Sequence, residues 1–330
     1  MPSAAAPRPT RDPTPVRVRT SRPHADGGSS ARYPEPVFDA LLPWFARHRR
    51  DLPMRDEGVS PWATLVFEVM SQQTPIPRVQ PVWEHWMERW PTPADLAAAS
   101  PADVLVAWDH LGYPSRALRL QRCAAAITAR PGGRVPADFE ELLSLPGIGP
   151  YTASAVSSFA YHRRVPVLDT NVRRVLARTL DGVEFAPSSA PPRTERSRAE
   201  ELLPLDGAAA AEWNVALMEL GALVCTQRSP RCPQCPLAGE CRWLAEGRPA
   251  AEVRPRGQSW TGTDRQARGR VMALLREAHS AGRSVTRDEA LAAATLPGAE
   301  RAQAGRVIEA LLVDGLVATD PAAGGLRLPR

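Results

Sequence analysis

Apolar residues recur along most of this chain with the three- and four-residue spacing of amphipathic helices, and read as strands only near its end. Val37, Leu41, Leu42, Trp44 and Phe45 form a first stripe, closed by Arg47-His48-Arg49-Arg50. Ser60 followed by Pro61 predicts a capped helix start. Trp62, Leu65, Val66 and Val69 give that helix, which runs to about Ser71, its buried face. Thr64, Glu68 and Gln72 lie four apart on another line, so a polar stripe runs beside the core-facing one. Three short helices are expected over 78–89, 93–99 and 101–110, the last two opened by Thr-Pro and Ser-Pro. A longer one covers 115–129, and its Cys123 reads as an inert core thiol. The apolar run Phe139 to Leu143 is broken by Leu145-Pro-Gly-Ile-Gly-Pro-Tyr151, after which a helix runs from Thr152 to about Tyr161. Another helix follows Asp169, and Val215, Leu217, Met218, Leu220 and Leu223 mark one from Trp213 to Val224. Phe185 to Arg198, rich in Pro, Ser and Arg, reads as an irregular loop.

At both ends the pattern changes. Residues 1–32 carry hardly any large apolar side chain, so burial cannot offset the entropy of ordering them, and they read as a disordered tail. A Pro/Gly/Arg linker over 247–263 leads to a separate small unit, 264–330. There one helix covers Arg265 to Ala281, the capping box Thr286-x-x-Glu289 opens a second, and Arg301 to Val313 is a third with Val307, Ile308, Leu311 and Leu312 facing inward. Leu316 to Thr319 and Leu326 to Leu328, joined through Pro321 to Gly325, read as a β-hairpin. Three helices and a hairpin suggest a winged-helix-like α+β unit.

Composition narrows the possibilities. With 330 residues, 43% of them hydrophobic, the chain can bury one large core or two modest ones and reads as a soluble globular protein. No apolar run approaches the roughly 20 residues of a membrane span, and the Arg- and Pro-rich start lacks a signal core, so a cytoplasmic location is expected. The formal charge is +5 and all 41 basic residues are arginine, whose flat fork suits phosphate, so nucleic acid is the expected partner. Without lysine, a side-chain Schiff base with an abasic sugar is excluded. Five cysteines, four of them clustered, point to metal ligation rather than a disulfide scaffold.

Candidate chemistry sits in three places. Gly147 and Gly149 permit a tight turn between two helices, and free N–H groups at the start of the second form a sequence-blind site for an anion such as a DNA phosphate: a helix-hairpin-helix. Asp169 stands where a helix N-cap belongs, and capping would hold its carboxylate in place and ionised. Cys225, Cys232, Cys235 and Cys241 are spaced C-x6-C-x2-C-x5-C. Zinc more often shows two close pairs, so one close pair and thiolate-only ligation favour iron-sulfur over zinc. Arg228 and Arg231 lie between the first two ligands, on a loop that a cluster would stiffen into a phosphate-contacting surface.

The stretches LPGIGPYTASAV and VLDTNVRRVLAR, with the cysteine array beyond them, resemble the adenine-specific MutY branch of the helix-hairpin-helix DNA glycosylases, over about Val37 to Leu244. The resemblance implies roles residue by residue. Glu68-Val-Met-Ser-Gln-Gln-Thr74 is similar to the family signature whose glutamate is the catalytic acid and one of whose glutamines wedges into the duplex, which implicates Glu68 and either Gln72 or Gln73. Arg55 matches a family arginine near the site, although Met54 stands where the family usually has tryptophan. Leu111-Gly112-Tyr113 is similar to a motif whose first tyrosine enters between bases, and Pro114 replaces the second. Asn171 matches a residue that orients the site, and Tyr151 takes the hairpin position where lyase cousins of the endonuclease III group carry lysine. The four cysteines would hold a 4Fe-4S cluster.

The implied architecture is all-α: a helix-hairpin-helix domain (61–165) set into an iron-sulfur domain built from 33–60 and 166–246, with the substrate cleft between. The implied activity is monofunctional excision of adenine opposite 8-oxoguanine or guanine in double-stranded DNA, by a monomer. Glu68 would protonate the flipped base and Asp169 would stabilise the sugar cation. The C-terminal unit is too short for the Nudix-like domain that senses 8-oxoguanine in better-known members. Two other readings compete: a relative acting on damaged or mismatched pyrimidines, and a non-catalytic iron-sulfur DNA-binding protein.

Overall fold

Helices account for nearly all the regular structure in the computed structural model, which describes residues 39–330 apart from 189, 253–259, 301 and 322–323. The expected disordered tail, Val37 of the first stripe and the Arg301 helix start lie outside the described residues. The helices are α1 (Leu41–His48), α2 (Pro61–Ser71), α3 (Ile76–Arg89), α4 (Pro93–Ala98), α5 (Pro101–Ala107), α6 (Ser115–Thr128), α7 (Phe139–Leu143) and α8 (Pro150–Tyr161). Then come α9 (Thr170–Leu176), α10 (Arg193–Leu202), α11 (Gly207–Leu223), α12 (Arg242–Ala245), α13 (Asp264–Ser280), α14 (Arg287–Ala294) and α15 (Gln303–Val313). Strands β1 (Ala318–Asp320) and β2 (Gly325–Arg327) pair antiparallel with Ala318 opposite Arg327.

Local chemistry explains the helix starts. Ser60 accepts from the Ala63 N–H with Pro61 in the first turn, Ser100 accepts from Asp103, and Thr92 with Asp95, like Thr286 with Glu289, closes a reciprocal capping box. One expectation is corrected: the Phe185 to Arg198 stretch is not all loop, because α10 begins at Arg193. Its apolar signal is weak because only Ala199 and Leu202 are buried, while Glu195 is fixed by an ion pair to Arg173. Beyond α9 the chain makes one π-helical turn, Ala177–Asp181, and leaves it through Gly182 at φ 72°.

The buried apolar side chains form two clusters. One joins α2 to α8 and is continuous with the interior of α13 to β2, from Val271 and Leu275 to Ile308 and Leu311. The other joins α1, α9, α10 and α11, with Trp44, Phe45, Val172, Trp213 and Leu217 at its centre. Between them, buried Asn214 of α11 donates to Ser158 Oγ and to the Val165 carbonyl and accepts from the Val167 N–H, which fixes the extended segment leading to Asp169. Among the described residues, no helix is long and apolar enough to cross a membrane.

Candidate active site

A cavity of about 850 Å³ opens between the two clusters, and Glu68, Tyr151, Asp169, Asn171, Arg55 and Glu219 are among its lining residues. Glu68 lies on α2, a helix buried around most of its girth, and is 6% exposed. Burial pushes its carboxyl up to about 7; negative Asp169 adds to the rise, while the hydrogen bond from Tyr151 and the charge of Arg55 oppose it. Tyr151, in the first turn of α8, donates its hydroxyl to Glu68 Oε2 at 2.9 Å. Its own ionisation is pushed well above the usual phenol range, chiefly by burial.

Asp169 is the N-cap of α9. Its Oδ1 accepts from the Val172 N–H at 2.6 Å and its Oδ2 from Asn171 Nδ2 at 2.7 Å. Burial raises its pKa and these donors oppose the rise. The two acids therefore have unlike partners. A backbone N–H can only donate, which favours the carboxylate of Asp169, whereas a phenol hydroxyl can turn to accept from protonated Glu68. Asn171 in turn accepts from Arg174 at 2.8 Å, and Arg174 Nε donates to the Cys225 carbonyl at 2.8 Å, so a hydrogen-bonded chain runs from the Asp169 carboxylate to the cysteine loop. Gly221 of α11 permits this packing, since a Cβ there would meet Asn171 Cβ at 2.6 Å.

The opposite wall holds residues that motif and spacing did not single out. Glu219 of α11 has no exposed side-chain surface. It accepts from Arg50 Nε at 2.7 Å, Arg50 Nη2 at 2.9 Å and the Arg50 N–H at 3.0 Å, and from Arg55 Nη2 at 2.9 Å. Burial alone would raise this carboxyl, but the arginine donors hold it down at about 2. The local signal is an acid within the apolar run Met218-Glu219-Leu220.

At the rim, Gln72 and Gln73 separate. Gln72 donates to Thr152 Oγ1 at 3.1 Å, while Gln73 is exposed in a left-handed conformation, φ 57°. Tyr113 is also exposed and left-handed, φ 47°. Buried Arg116 binds the two loops together. It donates to the carbonyls of Val69, Met70 and Gln72 on one side, to those of Leu111 and Gly112 on the other, and to Thr74 Oγ1. Its sequence signal is an arginine on the apolar stripe with Leu120, Cys123 and Ile127. In the hairpin only Gly147 needs a positive φ, 78°, and a Cβ there would press on Arg119 Cβ at 3.0 Å. Gly149 is the N-cap of α8 at φ −98°, with open space where a side chain would stand.

Cys225, Cys232, Cys235 and Cys241 line one small cavity that has no acid or imidazole among its liners. Arg178 Nη1 is 3.4 Å from Cys225 Sγ, and its guanidinium lies over Trp243. As thiols, Cys235 is pushed up to about 12 and Cys241 upward, chiefly by burial. Among the described residues no three His, Cys, Asp or Glu side chains are grouped to hold one metal ion. Four thiols spread around a common cavity fit a polynuclear iron-sulfur cluster. Arg228 and Arg231 are exposed on the loop between the first two cysteines. Of the candidate site residues, the structure thus gathers Glu68, Tyr151, Asp169, Asn171 and Arg55 at the main cavity, sets Gln73 and Tyr113 on two exposed loops tied together by Arg116, and places the cysteines apart.

This fold and cavity define a helix-hairpin-helix DNA-repair protein: residues 66–201 match the HhH-GPD superfamily base excision DNA repair family. A non-covalent endonuclease III–DNA complex is similar in structure, with a TM-score of 0.55 and 26% identity over 64% of this chain and 94% of that one. The adenine DNA glycosylase of Mycolicibacterium smegmatis is 50% identical over 277 residues, 84% of this chain and 91% of that protein. The adenine DNA glycosylase of Mycobacterium tuberculosis H37Rv is 50% identical over 309 residues, 93% of this chain and 98% of that protein. The chain belongs to the adenine DNA glycosylase family.

Proposed function

We propose that this protein hydrolyses the N-glycosidic bond of adenine mispaired with guanine or 8-oxoguanine in duplex DNA, without lyase activity. The observation that carries the reading is the pairing of Glu68, held near pKa 7 against Tyr151, with the N-capping carboxylate Asp169 across one cavity. The adenine is extruded into the cavity. Glu68 passes its proton to N7 as the C1′–N9 bond breaks, so neutral adenine leaves with the bonding pair, and Asp169 stabilises the positive charge left on the sugar. Water then adds to C1′ and gives its proton to the Glu68 carboxylate, which leaves an abasic sugar. Tyr151 orients Glu68, and Asn171 orients Asp169. Glu219, buried beneath Arg50 and Arg55, holds these two arginines in place at the cavity wall.

Tyr113 and Gln73 fill the gap left in the stack; the exposure of Gln73 and the tether on Gln72 favour Gln73 for this part. The amides around Gly147 and Gly149, with Arg228 and Arg231, take phosphates. Cys225, Cys232, Cys235 and Cys241 hold a 4Fe-4S cluster, which supplies structural support to that loop. The two hydrophobic clusters support a division into a helix-hairpin-helix domain (61–165) and an iron-sulfur domain (33–60 with 166–246), and the linker 247–263 leads to a winged-helix-like unit (264–330). The protein acts as a cytoplasmic, nucleoid-associated monomer. The test is a panel of duplexes bearing A opposite 8-oxoguanine, G, C or T, and T or U opposite G, treated with alkali after incubation. Cleavage at adenine in the first two is expected; release of pyrimidine alone, or of no base, overturns the reading.

A further inference from the structure

The C-terminal unit meets Tyr113 through Arg265. Arg265, in the first turn of α13, donates from Nη1 to the Tyr113 hydroxyl at 2.7 Å, and its guanidinium lies over the Tyr113 ring at 5.8 Å and over the Trp260 ring at 5.0 Å. Behind this contact Arg276 of the same helix is 3.4 Å from His110 Nδ1, and the apolar interior of the unit runs into that of the domain carrying Tyr113. The contact is therefore backed by packing.

Tyr113 needs such support. A non-glycine residue in the left-handed region is strained, and an exposed aromatic side chain can leave its rotamer at little cost. Arg116 fixes the backbone on both sides of the loop and also lies 5.7 Å from the ring centroid, but none of its hydrogen bonds reaches the hydroxyl end. Arg265 does.

We infer that Arg265 is a positioning residue for Tyr113, holding the ring in the attitude in which it enters the duplex, so that the C-terminal unit takes part in extruding the base. This rests on the reading of Tyr113 as the duplex-probing residue. Arg265 touches neither the reacting atoms nor the cavity; it acts through the tyrosine.

The experiment uses the full-length protein and a duplex with 2-aminopurine opposite guanine, whose fluorescence rises on unstacking, beside single-turnover excision of adenine opposite guanine. Arg265→Ala and Tyr113→Phe, each of which removes the same charged hydrogen bond, should lower both signals about 5- to 10-fold. Duplex affinity should change much less, the double variant should be no worse than either single one, and Arg265→Lys should recover most of the loss. If Tyr113→Ala extrudes and excises like the wild type, the reading of Tyr113 fails. If Tyr113→Ala is impaired while Arg265→Ala and Tyr113→Phe match the wild type, Tyr113 keeps its place and Arg265 is only a tether between two parts of the chain. Equal losses of affinity and extrusion in Arg265→Ala overturn the inference as well, since a positioning residue acts after binding.

Discussion

Two buried glutamates face one cavity and are driven in opposite directions. On the α2 and α8 wall, Glu68 meets a neutral phenol, and burial carries its carboxyl up to about 7. On the α11 wall, Glu219 has less exposed surface still, yet sits at about 2 because two guanidiniums and a backbone N–H converge on it. Desolvation pushes both the same way, so partners decide. One wall keeps a proton that can be given away near neutral pH, and the other keeps a fixed negative charge. Arg55 links them, since it pairs with Glu219 and its charge also pulls Glu68 downward.

The largest effect should come from Glu68→Gln. Losing the acid is expected to slow adenine excision by about 10² to 10⁴ while duplex binding persists. Stability supplies a second reading of the same wall. A carboxyl raised in the fold favours the folded state at low pH and penalises it as pH rises through about 7. Glu68→Gln should therefore melt above the wild type on the alkaline side of 7, by up to about 3 kcal/mol, and lose that advantage on acidification below the ordinary carboxylate range. A variant that melts below the wild type in alkali would remove the contrast between the walls.

Glu219→Ala tests the other side with the opposite sign. Two arginines lose their buried acceptor, and a cost of about 3 kcal/mol is expected in urea titrations. Because the Glu219 carboxyl is lowered, its contribution is present above the ordinary carboxylate pKa and fades as pH falls toward 2. The gap between variant and wild type should narrow only in strong acid. An unchanged midpoint in urea at neutral pH would mean that the pairing is not a structural anchor.

How much of this could be read from the sequence depended on how far apart the partners lie. The helix pattern and most caps are local, and Ser60, Thr92, Ser100 and Thr286 stand within three residues of the groups they bind. Glu68, Tyr151 and Asp169 are legible because each belongs to a short motif. Glu219 and Arg50 carry no motif, are 169 positions apart, and belong to types that usually face water. Arg116 binds carbonyls 46 and 47 residues before it in the sequence, and its only local trace is its place on an apolar stripe. The α10 helix leaves little trace in the sequence for a related reason: two buried residues in ten make too faint a period, and the Glu195 to Arg173 pair that helps to fix it is tertiary.

Gly221→Ala sharpens the comparison at the junction of the walls. In an ordinary helix this change gains about 0.5 to 1 kcal/mol. Here the new Cβ would lie 2.6 Å from Asn171 Cβ and 2.9 Å from the Asn171 carbonyl oxygen, and neither can swing away as a flexible tip would. Separation of α9 from α11 should cost about 1 to 3 kcal/mol and displace the Asp169 cap, so melting point and single-turnover rate should fall together. A higher melting point with an undiminished rate would show that the two helices have slack there.

The smallest expected effect is on the pH profile, and it asks whether the walls communicate. In the wild type the excision rate should decline as pH rises past about 7, because the acid must arrive protonated. Arg55 opposes that protonated state, though it is the weakest of the influences on Glu68. Arg55→Gln should therefore move the alkaline limb to higher pH, whatever it does to the maximal rate through the lost pair with Glu219. The position of the limb is independent of its height, so one titration of single-turnover rates separates the electrostatic link from the packing loss. A limb that stays in place while the maximum falls would reduce Arg55 to a partner of Glu219, and the proton on the opposite wall would be governed by burial, Tyr151 and Asp169.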